Sequence, residues 1–420
     1  MLLLPEYNII KDTKNDSEVN IMKDSIKIPT ALQICVDDVG WFIGSDDRYL
    51  SRPSRTGLTR RHAPEDYIAV NEIGKAIGQK IMCPLVLGEW DKDNILRGEV
   101  GVTFDPKNWD RASLLDLKLA QRCFEAAESS EYIEYAVHGV LHGNYDAEGK
   151  QITELECFKC INKDIDYSGY INNGDGLLTT QSEEEIAHRF DLFFKLYNTW
   201  GFKKKIRSYA APNGLPRNLK SSDMLALASV LKKNGITYWA NSWGQPVGYT
   251  EFIDGILYME KCCNCRIPWN ACDVDPDYVQ DFVKESDPGT GTVMSTHWPN
   301  FLRFNPQNNL QNVDKWAAFF KRQSEIFGLM ISKDIAFAGS QCVYHTYSKI
   351  DCCDKKIRID ISDCIAKGKD YLSGELYLSL KNDVIPASVN GGNIELYETH
   401  NEFKTYKITH TSDVIEITVE

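Results

Sequence analysis

Between about residues 30 and 340 the chain alternates short apolar runs with helical patterns. The runs are ALQICVDD (31–38), KIMCPLVLG (80–88), YIEYAVHG (132–139), KKIRSYAAP (204–212), GITYWANSW (235–243), GILYMEK (255–261), TVMSTHW (292–298) and IAFAGS (335–340). Continuous apolar stretches of this length predict strands buried on both faces. Between them, Ser182 and Glu185 carry a capping-box signature. Ile186, Phe190, Phe193, Phe194 and Tyr197 follow at helical spacing, and Gly201 closes the segment. Residues 111–128, 221–234 and 313–327 predict further amphipathic helices. Seven or eight strands with intervening helices predict a parallel α/β architecture, either a closed barrel or an open doubly wound sheet. No GxGxxG follows the first strand and no GxxxxGK[ST] occurs, which counts against a nucleotide-binding fold.

The texture changes after about residue 349. IRIDIS, GELYLSL, NIELYE, KTYKIT and VIEITVE alternate with period two between Gly, Asn and Asp, which predicts a small antiparallel β domain. The expected division is a polar lead-in over 1–29, an α/β barrel over 30–348 and a β domain over 349–420.

Composition narrows the function. The chain has 420 residues, 43% apolar and 25% charged, ample for a large core. Sixty acids against 47 bases give a net charge of -13 with no basic block, so no nucleic-acid partner is expected. No run of apolar residues is long enough to span a membrane. The opening MLLLPEYNIIKDTKNDSEVN has neither a basic start nor the apolar core of a leader. A cytoplasmic location is therefore expected, and the 13 cysteines read as thiols. Cys262, Cys263, Cys265 and Cys272 lack the two separated pairs of a usual zinc site.

The candidate chemistry lies where polar residues end apolar runs. Asp37 and Asp38 end the first, His138 and His142 lie at and just past the end of the third, and His297 ends the run 292–297. In a (β/α) barrel the strands' C-terminal ends form one face, so these residues converge there. Two imidazoles and a carboxylate with an open fourth position make a catalytic metal site, with Asp38, His138 and His142 as ligands to a divalent ion, zinc expected. Asp37 is then free to act as general base. Trp41, Trp90, Trp243 and Trp298 lie near strand ends, where indoles stack on sugar rings; core packing is the alternative use. Arg60, Arg61 and His62 suit either an anionic substrate group or a solvated loop.

With these residues in place, the chain resembles the polysaccharide deacetylases of the NodB-type fold, carbohydrate esterase family 4 and its looser relatives, over about residues 30–345. CVDDVG (35–40) is similar to the family's TFDDG-like strand end, His138 and His142 to its paired histidines, and His297 in STHW to its late barrel histidine. The resemblance implies a distorted (β/α)₇ barrel. It also implies a metal-dependent hydrolase that removes an acyl group, acetyl in the family, from an amide of a sugar or other small molecule. Asp37 would be the base, Asp38, His138 and His142 the metal ligands, and His297 the acid. YAAPNG (209–214) keeps Pro212 and Gly214 of the third motif but has Ala210 where an arginine steadies the base; Arg207 lies three residues upstream. Asn213 stands where a backbone N–H would meet the oxyanion. The family's Asp-Trp pair has no clear counterpart, with Trp239, Asn241 and Trp243 in that region, and Ser295 replaces an acyl-pocket leucine. Two other functions fit the same residues. One is a metal-independent glycoside hydrolase pairing Asp37 with Glu89 or Asp146. The other is a carbohydrate-binding barrel without catalysis.

Overall fold

The computed structural model describes residues 25–40, 60–161, 171–264, 267–281, 290–353, 355–400 and 402–420. Seven of the eight apolar runs become strands: β1 Ala31–Asp37, β2 Ile81–Val86, β3 Ile133–Gly139, β4 Ser208–Tyr209, β5 Tyr238–Asn241, β6 Ile256–Asn264 and β7 Val293–His297. Each pairs in parallel with the next, and β7 returns to β1 with His297 beside Asp37, so the sheet closes into a seven-stranded barrel. Strand β4 is short because the Asn241 side chain substitutes for a ladder beyond it. Its Oδ1 accepts from the Ala211 N–H at 2.6 Å, and its Nδ2 donates to the Ala211 carbonyl at 2.8 Å.

Helices α1 Pro64–Ile77, α2 Leu117–Ser129, α3 Glu183–Trp200, α4 Leu225–Lys233 and α5 Val313–Phe327 surround the barrel. Helix α3 starts as expected: the Ser182 hydroxyl accepts from the Glu185 N–H at 3.2 Å, and the Glu185 carboxylate accepts from the Ser182 N–H at 2.7 Å. Gly201, at φ 78°, closes it. Helix α2 begins later than its pattern suggests, because Asp116 caps it by accepting from the Leu119 N–H.

The eighth run, IAFAGS, is not a strand. It opens helix α6, Ile335–Tyr347, where Asp334 accepts from the Phe337 N–H at 2.9 Å. A short apolar run cannot be separated from a buried helical turn by periodicity alone, and here the apolar pattern continues for 13 residues. Gly339 rests against the strand starts: a Cβ there would lie 2.5 Å from the Tyr238 ring. Cys342 meets the hydroxyls of Thr250 and Thr292. Helix α6 therefore closes the barrel end opposite the strand tips.

Beyond it stand two four-stranded antiparallel sheets. One runs β8 Lys349–Cys353, β9 Lys356–Asp360, β14 Val414–Val419, β11 Pro386–Asn390 in spatial order. The other comprises the short strand Ile26–Lys27, then β10 Glu375–Lys381, β13 Phe403–His410 and β12 Gly392–Thr399. The segment read as a lead-in thus ends as a strand of the C-terminal sheet, with Ile26 opposite Leu380. Ile357, Ile359, Leu378, Ile408, Ile415 and Ile417 form one buried cluster with Ile335 and Cys342 of α6 and with Cys35, Met82, Ala136 and Met259 of the barrel.

Candidate metal centre

Alternation along β1 points Asp37 and Asp38 to opposite sides, yet both reach the same region. Asp38 takes a left-handed backbone (φ 66°), which turns its carboxylate back toward the strand tips. Aspartate tolerates this conformation better than most residues. Gly40 follows at φ 114°, where a Cβ would lie 2.5 Å from the Val86 carbonyl. His138 is presented by a second irregularity. Leu85 pairs with Val137 and Val86 with Gly139, so His138 is the extra residue of a bulge in β3. Bulges next to functional sites re-aim a side chain in this way.

The loop after His138 is folded around a buried carboxylate. Glu156 accepts from the N–H groups of Val140 (2.8 Å), Leu141 (2.6 Å) and Gly143 (3.3 Å). Gly139 is required here because a Cβ would lie 2.5 Å from the Glu156 carboxyl carbon. His142 is left-handed (φ 54°), and the Gln151 amide holds its carbonyl at 3.0 Å.

These devices bring three donors together. Asp38 Oδ1 lies 3.3 Å from His138 Nε2 and 3.1 Å from His142 Nε2. All three side chains are buried, and the ligand atoms lie within 4.8 Å of one another. The residues fit a divalent cation. A tetrahedral zinc with N and O ligands at its usual bond lengths separates donors by about 3.3 Å. His138 Nδ1 lies 2.6 Å from the Ala210 carbonyl, so donation there leaves Nε2 with its lone pair toward Asp38.

Asp37 is held beside this cluster. Lys261 Nζ donates to both its oxygens, at 3.0 and 2.7 Å, and the Ser295 hydroxyl donates at 2.6 Å. Burial pushes the Asp37 carboxyl up, but the Lys261 ammonium, helped by His138 and His297, outweighs it and holds Asp37 at about 2. Lys261 thus steadies Asp37 where the sequence offers Ala210 in place of an arginine. Arg207 does not take that place, since it lines a separate cavity at the start of β4.

Asp37, His138, His142, Lys261, Ser295 and His297 line one cavity of about 430 Å³. Burial pulls the His297 imidazole down, against the pull of Asp38 and Asp37. Asn213 also lines the cavity, in a left-handed turn (φ 53°) whose carbonyl accepts from the Asn173 amide. Three non-glycine residues at positive φ around one site mark a backbone under constraint there.

Of the expected tryptophan platform, none of the described members lines the cavity. Trp90, Trp243 and Trp298 are buried in the barrel–helix core. The indole N–H of Trp90 donates to the Gly40 carbonyl, and that of Trp243 to the Pro216 carbonyl. Trp298 packs edge-on against His62 and at a tilt against Tyr67. Trp41 lies outside the described residues. Trp269, which the sequence pattern did not single out, lines the cavity along with Glu154 and Arg217. Nor does Glu89 or Asp146, the two carboxylates weighed as a glycosidase partner for Asp37, line it. Glu89 is buried toward Arg111, and Asp146 caps a turn by accepting from Glu148 and Lys150. Arg60 pairs with Asp66, and of the clustered cysteines only Cys272 has a described side chain.

No model of a known protein family matches the chain, and no curated protein matches it. Among solved structures it is similar to a CE4 family pseudoenzyme from Bacillus anthracis, with a TM-score of 0.34 and 12% identity over 74% of this chain and 66% of that chain. A mutant of that pseudoenzyme with restored enzymatic activity aligns with the same TM-score and identity, covering 68% of its own length. An α-fucosidase from Thermotoga maritima aligns at TM-score 0.32 and 9% identity, over 96% of this chain and 99% of that chain.

Proposed function

We propose that the chain is a metal-dependent hydrolase that removes an acyl group, acetyl foremost, from an amide of a sugar or similar small molecule. The observation that carries this reading is the buried Asp38–His138–His142 triad, with the ion-paired Asp37 and the half-open His297 on the same cavity. A divalent cation bound to the triad would polarise the amide carbonyl and acidify water.

Against the push of burial, the Lys261 ammonium holds Asp37 well below the usual carboxylate range and, with Ser295, positions it, so near neutral pH it can take a proton without first having to lose one. A carboxylate held so low is a weak base toward ordinary water. The reading therefore requires the cation, and turnover without it is not expected. His297, at the tip of β7 next to the tip of β1, is the group that returns a proton to the departing amine. Asn213 lines the cavity, and its N–H would be the donor for the developing oxyanion.

The test is acetate release from N-acetylglucosamine and its short oligomers by the purified chain. Chelation should abolish release and zinc restore it. Asp37→Asn and His297→Ala should each lower turnover by about 10² or more. Release that survives chelation, or cleavage of glycosides in its place, contradicts the proposal. Ligand binding without turnover in the zinc-loaded chain identifies a binding barrel.

A further inference from the structure

A second cavity, of about 770 Å³, opens where β3 and β4 begin. It lies at the other end of the strands from the triad and shares no lining residue with the first cavity. Its volume falls within the range of small-molecule sites. Four cations line it: Lys80, Lys204, Lys205 and Arg207. Lys204 is committed to structure, since its ammonium donates to the carbonyls of Ala127 and Ser130 at the end of α2 and of Ile133 at the start of β3. Lys80, Lys205 and Arg207 make no ion pair among the described residues, in a chain whose net charge is -13. Lys80 and Lys205 are exposed, and Arg207 is half-buried.

Three acids also line it: Glu131 is exposed, and the other two are partly engaged. Glu128 accepts from the Lys203 N–H at 3.0 Å, and Glu134 accepts from the Ile335 N–H at 2.8 Å. Burial, with Asp334 nearby, pushes Glu134 up to about 8 against the Ile335 N–H, Arg207 and Lys80, so near neutral pH it subtracts little positive charge. An independent feature points the same way. Ser208 is 1% exposed, lines this cavity, and its hydroxyl has no hydrogen-bond partner in the structure. A buried hydroxyl in that state costs free energy that a ligand acceptor would recover.

We propose that this cavity binds a small molecule bearing a phosphate group. Arg207 and Lys205 would grip the phosphate oxygens, with Lys80 supplying further charge and the Ser208 hydroxyl donating. A guanidinium presents parallel N–H groups that match a phosphate edge, and a lysine adds a compact charge. The site stands apart from the triad, so it does not depend on the proposed hydrolysis.

The probe is inorganic phosphate, followed by pyrophosphate, titrated into the full chain by calorimetry after chelator treatment. Saturable binding of one equivalent is expected. Arg207→Ala and the surface change Lys205→Glu should each weaken it by about tenfold or more, while His138→Ala leaves it unchanged. Circular dichroism of each variant confirms folding, and Lys205→Glu suffices should Arg207→Ala fail to fold. Absence of saturable binding, equal binding by the folded Lys205→Glu variant, or binding lost only in His138→Ala overturns the proposal. The last of these would put phosphate at the triad.

Discussion

The smallest unit that decides how this molecule works is the pair Asp37–Lys261. Two buried charges repay their desolvation only together, and removing one partner strands the other. Lys261→Met should therefore destabilise the fold by about 3–5 kcal/mol in urea titration. The double change Asp37→Asn with Lys261→Met should recover much of that loss, because no buried charge remains. Additive losses would show that the two side chains are not coupled. Asp37, Asp38, His138, His142 and His297 could be picked out in the sequence because each is polar at or just past the end of an apolar run, whereas Asn213 entered only with the family resemblance. Lys261 and Glu156 could not. Lys261 reads as the ordinary polar end of GILYMEK, and only closure of the ring brings β6 within reach of β1. Glu156 sits in a polar stretch without periodicity, and its task is set by a loop that has to fold first. The tryptophans misled for the opposite reason: an indole near a strand end is as useful to the core as to a sugar, and sequence alone does not distinguish the two uses.

Among the elements, the bulged end of β3 and the loop after it form one device. The bulge aims His138, Gly139 leaves room for the Glu156 carboxylate, and Glu156 fixes the N–H groups of Val140, Leu141 and Gly143 on either side of His142. Glu156→Gln should weaken zinc affinity by about 10–100-fold, the usual cost of losing an outer partner of a metal ligand. Calorimetry with zinc checks this, and unchanged affinity would mean that the loop holds its shape without the charge. Helix α6 gives an element-scale prediction of a different kind. Asp334→Ala removes its N-cap and should cost about 1 kcal/mol of stability while leaving zinc affinity unaltered. The same helix was illegible as a helix because its first six residues, taken alone, read equally well as a buried strand. The long, capped helix α3 was legible from spacing and end signals and α5 from spacing alone, whereas the shortness of β4 depends on Asn241, thirty residues away.

At the scale of the whole molecule, the barrel is filled from below. The inward residues of its lower half, Cys35, Met82, Ala136 and Met259, share a core with α6 and the C-terminal sheets. A chain ending at residue 348 would expose that core, so it should be insoluble or lack a cooperative thermal transition; a soluble, cooperatively melting fragment would show the barrel to be self-sufficient. Glu134 links the same regions by tying β3 to the start of α6. Its carboxyl lies near 8 in the folded chain and close to the ordinary value when unfolded, so the folded state holds the extra proton between those values. Stability should therefore fall as pH rises from about 5 to 8, by an amount on the order of 1 kcal/mol or more. Glu134→Gln should flatten that slope in urea titrations across the range, and an unchanged slope would assign the pH dependence to other groups. The division into an α/β barrel followed by antiparallel sheets was plain in the sequence from the change of period. That the two share a core was not, because period reports which face is buried and says nothing of what buries it.

The account depends most on a cation held by Asp38, His138 and His142, and an anomalous difference map from crystals grown with zinc tests it directly. The account predicts one strong peak about 2 Å from Asp38 Oδ1, His138 Nε2 and His142 Nε2, absent in crystals of His138→Ala. A map with no peak among these three atoms, or with zinc bound only elsewhere on the chain, would contradict it.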